Sequence, residues 1–388
     1  ILVKFYSYKQ ILPAIKKREI DGSSPPAIFI GKFGYPYVNI SPLVPPFIGD
    51  TSILDYPETW INIKLDDIVR FRLSLVRGNI KAHVKNAVKG NKYTYLVQEL
   101  SMARRSVDAS MFLKREPRGV LIDSELQPMG PSAPLNDIDV DHIKTDTLIE
   151  RVHEDDDLKA LEAVKILYER GKSISAIIRA FSAGLFGLKI ERKFVPTRWS
   201  ITAVDSMLSK KLINEKIKKN PVIGEYLVYK ADLFGDRFLV ILIPDAWGYE
   251  FIEAWYPGTT WNPNRGYIAI GGDWEPYQGR TTYASIGGCY YAARLAISEF
   301  LSRTGKQAKV LILRESYPDH ILPLGVWHVR EGVRLAVRNK PMRFDSLRDV
   351  LSYINEQMKL SINTWFEVSR TLKDLLMQTK LTNFLVHR

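Results

Sequence analysis

The sequence predicts an α+β fold, in which a mixed or antiparallel sheet is flanked by helices and a long C-terminal helix precedes a short exposed tail. Two observations lead to this prediction. Strand-like and helix-like segments are grouped along the chain more than they alternate. The composition, 46% hydrophobic and 25% charged over 388 residues, is that of a globular protein large enough for two domains.

The first part of the chain, residues 1–146, is expected to be rich in strands and loops. Twelve of the 21 prolines fall within residues 1–150, and proline is excluded from helix interiors. The segment Asp67–Arg77 alternates apolar and polar residues. This alternation predicts a half-buried strand with Arg70 and Arg72 on a basic outer face.

Residues 147–376 are expected to form a core of helices and a sheet. A helical period is evident in 148–171 and again in 173–187. Three β-branched and aromatic runs between Glu225 and Pro257 predict neighbouring antiparallel strands. A helix pattern over 283–305 then precedes a buried strand over 308–316.

The end of this core shows the clearest pattern in the sequence. Beginning at Asp345, a possible N-cap, apolar residues recur at steps of three and four as far as Leu375. The spacing predicts one long amphipathic helix. Residues 377–388 are expected to form a separate tail.

The net charge of +12 and the pI near 9.4 favour a polyanionic partner, with DNA as the principal expectation. A basic surface without such a partner is the alternative. No apolar run is long enough to predict a membrane span. Cys289 is the only cysteine, which excludes a disulfide framework and a cysteine-cluster zinc site and fits an intracellular, cytoplasmic setting. The first residues lack both Met and a signal-peptide pattern, so we expect a trimmed chain.

The tail carries a possible partner-binding motif, QTKLTNFL. In a 3₁₀ turn the apolar side chains would share one edge and the glutamine would lie at its rim. This spacing corresponds to the PCNA-interacting peptide, although the second aromatic position holds a leucine. The predicted contacts with the sliding clamp are made by Gln378, Leu381, Phe384 and Leu385. The alternative is a tail packed on the body of this protein as two more helical turns.

A second candidate site is the segment Val195–Ser206. Its sequence predicts a helix beginning near Ala203, with Arg198 and Trp199 just before it and Asp205 in its first turn. A helix N-terminus beside an arginine and an indole suits a phosphate and a stacked base. A structural turn, with Arg198 paired to a carboxylate, explains the same residues equally well.

A third candidate is the segment Arg314–Arg334, which gathers acids, histidines and arginines around two aromatic residues. Arg330 and Arg334, four apart, would share one helix face and bind a nucleotide. Glu315 and His320, with Asp205, are the candidates for proton transfer. An ion-pair network that involves Glu331 is the alternative.

Two weaker basic features complete the candidate sites. Lys81, Lys85 and Lys89 are four apart and would form a phosphate-binding stripe if the segment is helical. Arg280 lies in a glycine-rich segment beside Trp274 and Tyr277, as a residue of a substrate loop would. Either feature is equally compatible with a solvated surface.

Several longer segments together resemble the archaeal Nre family of DNA-repair proteins over nearly the whole chain. The segments that carry the resemblance are Gly34–Pro46, Leu75–Gly78, Lys193–Asp205, Gly287–Ala296 and Pro323–Arg334. The resemblance implies a role in DNA-damage repair through the PCNA clamp. Family members often begin with a cysteine-rich, zinc-binding segment, which is absent from this chain, so no cofactor is expected.

The resemblance does not imply a particular reaction, so the sequence leaves enzymatic activity undecided. The main hypothesis is a repair protein that binds nucleic acid and docks on the clamp. The alternative hypothesis is a hydrolase or transferase acting on a nucleotide or on DNA, with a site formed by residues 195–206 and 314–334.

Overall fold

The computed structural model describes residues 15–259, 261–263, 266–320 and 322–377. The chain divides into two compact units: residues up to Leu208 with Pro323–Trp327, and Ser209–Leu322 with the residues from His328 onward. Within the described ranges each unit is built on one six-stranded sheet that mixes parallel and antiparallel pairs, with helices beside it. The predicted α+β class is confirmed.

The sheet of the first unit contains the first six strands in the order β1-β5-β6-β4-β3-β2. The strands are β1 (Glu19–Ser24), β2 (Ile28–Ile30), β3 (Tyr37–Val44), β4 (Val76–His83), β5 (Val107–Leu113) and β6 (Ser132–Val140). The pair β4–β6 is parallel and the other pairs are antiparallel. One sheet face packs into an apolar core that includes Ile20, Val76, Met111 and Leu135.

The helices of this unit are α1 (Leu65–Ser74), α2 (Lys92–Met102), α3 (Thr147–Glu154), α4 (Ala160–Glu169) and α5 (Ile174–Ser182). A further helix, α6 (Thr197–Glu215), begins here, and its residues from Ser209 belong to the second unit.

The prediction of a strand over Asp67–Arg77 is wrong, because helix α1 occupies most of this segment. Its buried residues Ile68, Val69, Arg72 and Leu73 are spaced as on one helix face. Arg72 is not on an outer face: it is buried, forms an ion pair with Asp55 and donates to the Leu54 carbonyl at 3.1 Å. Because Asp55 supplies a counter-charge inside the protein, the basic side chain of Arg72 can belong to the buried face of the helix.

The compact units divide the chain at 208/209, whereas the sequence suggested a division at 146/147. Helix α5 is tied to the proline-rich part, since Ser175 donates to the Glu58 carboxylate from its backbone N–H at 2.9 Å and from its hydroxyl at 2.8 Å. Arg179, also in α5, donates to the Ser101 carbonyl at 2.9 Å. These contacts join residues that are far apart in sequence.

The sheet of the second unit has the order β10-β9-β11-β8-β7-β12. Its strands are β7 (Tyr226–Leu233), β8 (Asp236–Ile243), β9 (Gly248–Trp255), β10 (Ala269–Glu275), β11 (Lys309–Ser316) and β12 (Met342–Phe344). The predicted strands between Glu225 and Pro257 are β7, β8 and β9. Of these, β7 and β8 pair directly, while β11 lies between β8 and β9, antiparallel to the first and parallel to the second.

Helices cover both faces of this second sheet. On one face, Leu239, Ile241 and Leu313 pack against the C-terminal helices. On the other face, Tyr249 contacts Tyr290 of α7 (Gly288–Thr304), and Phe238 contacts His328 of α8 (Val326–Arg338).

The prediction of one long C-terminal helix is wrong. The segment forms three shorter helices: α9 (Leu347–Gln357), α10 (Ile362–Val368) and α11 (Arg370–Met377). Two buried carboxylates account for the breaks, because they bind backbone N–H groups that a continuous helix would use internally. Glu315 accepts from the N–H groups of Lys359 and Leu360, at 3.0 and 2.7 Å. Glu250 accepts from residues 369–371 at the second break.

Across the part of the chain that the structure describes, no helix is sufficiently long and apolar to cross a membrane. The predicted tail begins at Met377, the last residue of α11, and its residues 378–388, which include the clamp-binding motif, lie outside the described residues.

Candidate functional site

The first unit contains a pocket of about 300 Å³ on the sheet face opposite its apolar core. Alternation along β4 creates the two faces: Val76 points into the core, and Arg77 and Asn79 line the pocket. Phe29 of β2 and Asn39 of β3 complete the floor from the neighbouring strands.

Arg77 is the most deeply buried charge of this pocket, with 8% of its surface exposed. Its Nε donates to the Gly130 carbonyl at 2.9 Å, and its guanidinium carbon lies 5.4 Å from the centre of the Phe29 ring. Among the described residues no carboxylate forms an ion pair with it. Burial and the charge of Arg72 lower the pKa of Arg77 to about 10. Because this value is still far above 7, Arg77 is protonated at neutral pH.

Three more cationic side chains line the pocket, Lys32, Arg118 and Arg198, against a single carboxylate, Asp123. Asp123 pairs with Lys32 at 3.0 Å and with Arg198 at 3.4 Å. Burial by itself would raise the pKa of Asp123, but hydrogen bonds from the Glu125 N–H and Lys32 hold it below its usual value. The lining therefore carries a formal charge of +3, from four cations and one anion.

Aromatic side chains lie beside the pocket and are open to solvent. Phe33 and Tyr35 belong to the loop between β2 and β3, and Phe33 is 75% exposed. Tyr35 contacts the half-exposed Trp199, with ring centres 5.2 Å apart. We call Phe33, Tyr35 and Trp199 the aromatic surface. Planar exposed rings next to cationic groups are the chemical elements used to bind a base and its phosphate.

Lys81 extends the basic line of the pocket along β4, because Arg77, Asn79 and Lys81 alternate onto one face of the strand. Lys81 is exposed and pairs in register with Asn39 of the pocket. The prediction that Lys81, Lys85 and Lys89 share one face of a helix is wrong, because Lys81 lies in strand β4. Lys85 lies in the short 3₁₀ helix Val84–Ala87, and Lys89 in the turn that follows.

The structure corrects the predicted start of helix α6, which begins at Thr197 and not near Ala203. Asp205 consequently lies in the third turn, where it is buried, and it is not a first-turn partner of the helix dipole. The N–H groups of Trp199 and Ser200 donate to the Pro196 carbonyl, at 2.9 and 3.0 Å. A phosphate here would be held by side chains instead of these two amides.

Arg198 itself meets both expectations that the sequence left open. Its guanidinium pairs with Glu125 at 3.1 Å and donates to the Ser124 hydroxyl at 3.2 Å, as a structural arginine would. It also lines the pocket, as a binding residue would.

In the second unit, Glu315 and His320 are buried on different sides of the sheet. Glu315 lies on the face of the C-terminal helices, where backbone N–H groups and the Tyr317 hydroxyl donate to it. His320 lies beside Asp236, with Nδ1 to Oδ1 at 3.0 Å. Their assignment as proton-transfer groups stays a prediction.

Two of the predicted arginines of this unit, Arg334 and Arg280, form ion pairs within it. Arg334 binds both carboxylate oxygens of Glu299 at 2.9 Å and Glu331 at 2.6 Å. Arg280 pairs with Asp273 at 2.8 Å. Arg330 is buried in α8. The alternative enzyme site combines residues of both units and stays a prediction.

Reasoning from the sequence missed Lys32, Arg77 and Arg118 as members of one pocket. Arg77 was assigned to the strand that proved to be α1, and Arg118 follows β5 in a loop without a recognisable motif. One usable signal was present, since Arg77 belongs to the segment Leu75–Gly78 that carries the family resemblance.

The comparisons with known proteins agree over nearly the whole chain. The family described as "Archaeal Nre, N-terminal" matches residues 1–262, and "Archaeal Nre, C-terminal" matches residues 275–384. The DNA repair protein NreB of Archaeoglobus fulgidus is 42% identical over 359 residues, which is 92% of this chain and 90% of the relative. NreA of the same organism is 36% identical over 360 residues, again 92% and 90%.

The DNA repair protein NreA of Haloferax volcanii is 32% identical over 353 residues, which is 88% of this chain and 83% of the relative. No solved structure shows significant similarity to the chain. Both family matches and all three relatives agree in one assignment: the chain belongs to the archaeal Nre family.

Proposed function

We propose that this chain is a DNA-repair protein that binds single-stranded DNA at the pocket and the aromatic surface and docks on the PCNA sliding clamp through its tail. The repair role is supported by the relatives, which are named DNA repair proteins. The observation that carries the DNA contact is the excess of cationic side chains around one pocket that adjoins exposed aromatic rings.

The charge of Arg77 supports a phosphate ligand. A buried cation without a counter-charge is held at an energetic cost, and an anion that enters the pocket removes this cost. A phosphate group matches the guanidinium fork and can accept from Lys32 or Arg118 at the same time. The +12 charge of the whole chain favours the same class of ligand.

The aromatic surface favours single-stranded DNA, with unpaired bases, over duplex DNA as the ligand. The rings of Phe33, Tyr35 and Trp199 can stack only on base faces that are exposed, and a duplex covers those faces. The pocket and these rings together suit a backbone phosphate with a neighbouring splayed base. DNA that has lost its pairing is a general feature of repair intermediates.

Fluorescence anisotropy with a labelled oligothymidine of about 20 nucleotides tests this proposal. We expect Arg77→Gln and Arg118→Gln each to weaken binding roughly tenfold, which corresponds to about 1.4 kcal/mol. Each should also lower the slope of log K against log salt by about 0.7, as one phosphate contact is lost. Arg343→Gln is the matched control, because it removes an exposed arginine of the second unit.

Two results would overturn the DNA assignment. One is an unchanged affinity and salt slope for both pocket variants, since non-specific charge would then account for binding. The other is an equal loss in Arg343→Gln, since the pocket would then have no special role. A preference of the wild type for duplex DNA would contradict the stacking argument only.

Clamp docking is supported by the spacing of Gln378, Leu381, Phe384 and Leu385 in the sequence. We expect Phe384→Ala to abolish retention of the chain on immobilised PCNA, because it removes the remaining aromatic anchor. Thr382→Ala is the matched control, since it changes a position between the anchors. Retention of Phe384→Ala at the wild-type level would refute docking through this tail and would leave the DNA proposal intact.

A further inference from the structure

Three side chains of the second unit, Asp236, His320 and His328, place possible metal-ligand atoms within 4.8 Å of one another. All three are buried, and each comes from a different part of the unit. Asp236 begins β8, His328 lies in α8, and His320 follows β11. Exposed acidic groups are common without an ion. This cluster instead lies in the interior, where buried charges are either paired or bind a metal, and it combines two imidazoles with a carboxylate.

The local backbone brings His320 against Asp236. The tight turn Phe234–Gly235 joins β7 to β8, and both of its residues have positive φ, 50° and 86°. A Cβ at Gly235 would lie 2.5 Å from the backbone nitrogen of His320, so only glycine permits this approach. The Gly235 carbonyl also accepts from the Tyr317 N–H at 2.9 Å, which fixes the chain just before His320.

The ring of His328 is oriented by the backbone. Its Nε2 lies 3.1 Å from the Leu233 carbonyl, which can only accept, so Nε2 carries the proton. Nδ1 is then the atom with the lone pair, and it lies 3.5 Å from Asp236 Oδ2. Histidines that bind a metal through one ring nitrogen usually donate the N–H of the other nitrogen to a carbonyl or carboxylate. The contact of His328 with the Leu233 carbonyl is of this kind.

Two ligand atoms of this cluster face each other directly. Asp236 Oδ1 and His320 Nδ1 lie 3.0 Å apart and are fully buried, and within the described ranges neither atom has a hydrogen-bond partner outside this contact. A buried carboxylate oxygen with a single neighbouring polar atom is poorly compensated for the loss of water. A cation between these atoms would satisfy both of them.

We propose that Asp236, His320 and His328 form a zinc-binding site in the second unit. Two imidazole nitrogens and one carboxylate oxygen are ligands that Zn²⁺ accepts, with a fourth position left for water. Because the three ligands come from separate elements of the unit, a bound ion would also stabilise the folded unit.

The adjacent Arg314 is compatible with this assignment. Its Nε donates to Asp236 Oδ2 at 2.6 Å, and its guanidinium also binds Glu253. It therefore occupies one oxygen of Asp236 and leaves Oδ1 for the ion. Asp236 and Glu253 together carry one negative charge more than Arg314 neutralises, so a divalent cation enters a group with a net charge of −1.

The test is the metal content of the full chain, produced without a histidine tag in zinc-supplemented medium and measured by plasma mass spectrometry. We expect close to one zinc per chain in the wild type and a loss of zinc in His320→Gln and His328→Gln. His153→Gln is the matched control, because His153 is a partly buried histidine of the first unit that also bonds a backbone carbonyl. Its zinc content should equal that of the wild type.

Thermal unfolding of the wild type gives a second measurement that does not depend on the variants folding. Removal of zinc by a chelator should lower Tm, and added Zn²⁺ at about 100 times its Kd should raise it again by roughly 5 °C. Only trace zinc in the wild type, with a Tm that neither chelator nor Zn²⁺ changes, would overturn the proposal. Zinc retained in both histidine variants would also overturn it.

Discussion

Arg77 in the first unit and Arg314 in the second both project from a six-stranded sheet and are both buried, with 8% and 2% of their surface exposed. Their neighbours differ. Arg314 binds Asp236 and Glu253, and these opposite charges raise its pKa although burial opposes the rise. Arg77 donates to a carbonyl and faces a pocket with three more cations.

The difference distinguishes a charge that stabilises the fold from one that is available to a ligand. Removal of Arg314 leaves two carboxylates buried without their cation, so the folded protein loses stability. Removal of Arg77 leaves no buried anion behind, so the loss falls on whatever anion binds the pocket.

The largest effect is expected for Arg314→Met compared with Arg77→Met. Arg314→Met should lower the free energy of unfolding by about 3–5 kcal/mol, because it breaks a buried ion-pair group from one side. Arg77→Met should change it by about 1 kcal/mol or less, in either direction, since an unpaired buried charge is replaced by an apolar chain. Urea denaturation of both variants checks the pair. Equal losses would remove the distinction on which the comparison depends.

A second variant tests whether a buried carboxylate of the second unit also contributes to the free energy of unfolding. Glu250→Ala leaves the Ser369 hydroxyl and two backbone N–H groups without their acceptor, so we expect a loss of about 2–3 kcal/mol. Urea denaturation measures it, and Glu356→Ala, at an exposed position of α9, should be nearly neutral. If Glu250→Ala were equally neutral, the breaks in the C-terminal helical segment would need another cause.

A smaller effect, on binding alone, is expected for Trp199→Ala in the first unit. Loss of one stacking partner should weaken single-stranded DNA binding by about 1–2 kcal/mol, and the salt dependence should stay as in the wild type because no charge is removed. Anisotropy titrations at several salt concentrations separate the two effects. Tyr277→Ala, an exposed aromatic residue of the second unit, is the control and should bind normally.

The smallest expected effect is that of pH. Asp123 is ionised well below neutrality because its pKa is lowered, and Arg77 keeps its proton until the pH approaches about 10. DNA affinity should therefore be constant between roughly pH 6 and pH 9. Anisotropy at fixed ionic strength measures the profile. A marked gain on acidification through about pH 6.5 would indicate a histidine contact instead of the pocket arginines.

Local pattern and long-range contact explain which parts of this molecule could be predicted from sequence. Strands β7, β8, β9 and β11 were predictable because their apolar runs are long and bounded by turn residues. Helix α1 was mistaken for a strand because Arg72 looked like an outward residue, and its burial depends on Asp55, seventeen positions earlier. The C-terminal helices have a continuous helical pattern, and their breaks depend on Glu250 and Glu315, far away in sequence.

The candidate site was predictable only in part for the same reason. Arg198 and Trp199 were identified from their local sequence, and both lie at or beside the pocket. Lys32, Arg77 and Arg118 are spread over almost ninety positions and meet only through the pairing of β2, β3, β4 and β6. Among the residues that the structure describes, Arg77 has no ion-pair partner. This feature distinguishes it from Arg314 and is a property of the folded chain.

The most direct test is a crystal structure of the full chain with a short single-stranded oligonucleotide. It should show a phosphate oxygen within hydrogen-bond distance of Arg77 and a base stacked on Trp199, with Arg314 still bound to its two carboxylates. An oligonucleotide seated elsewhere on the protein, with the Arg77 pocket empty, would contradict the account.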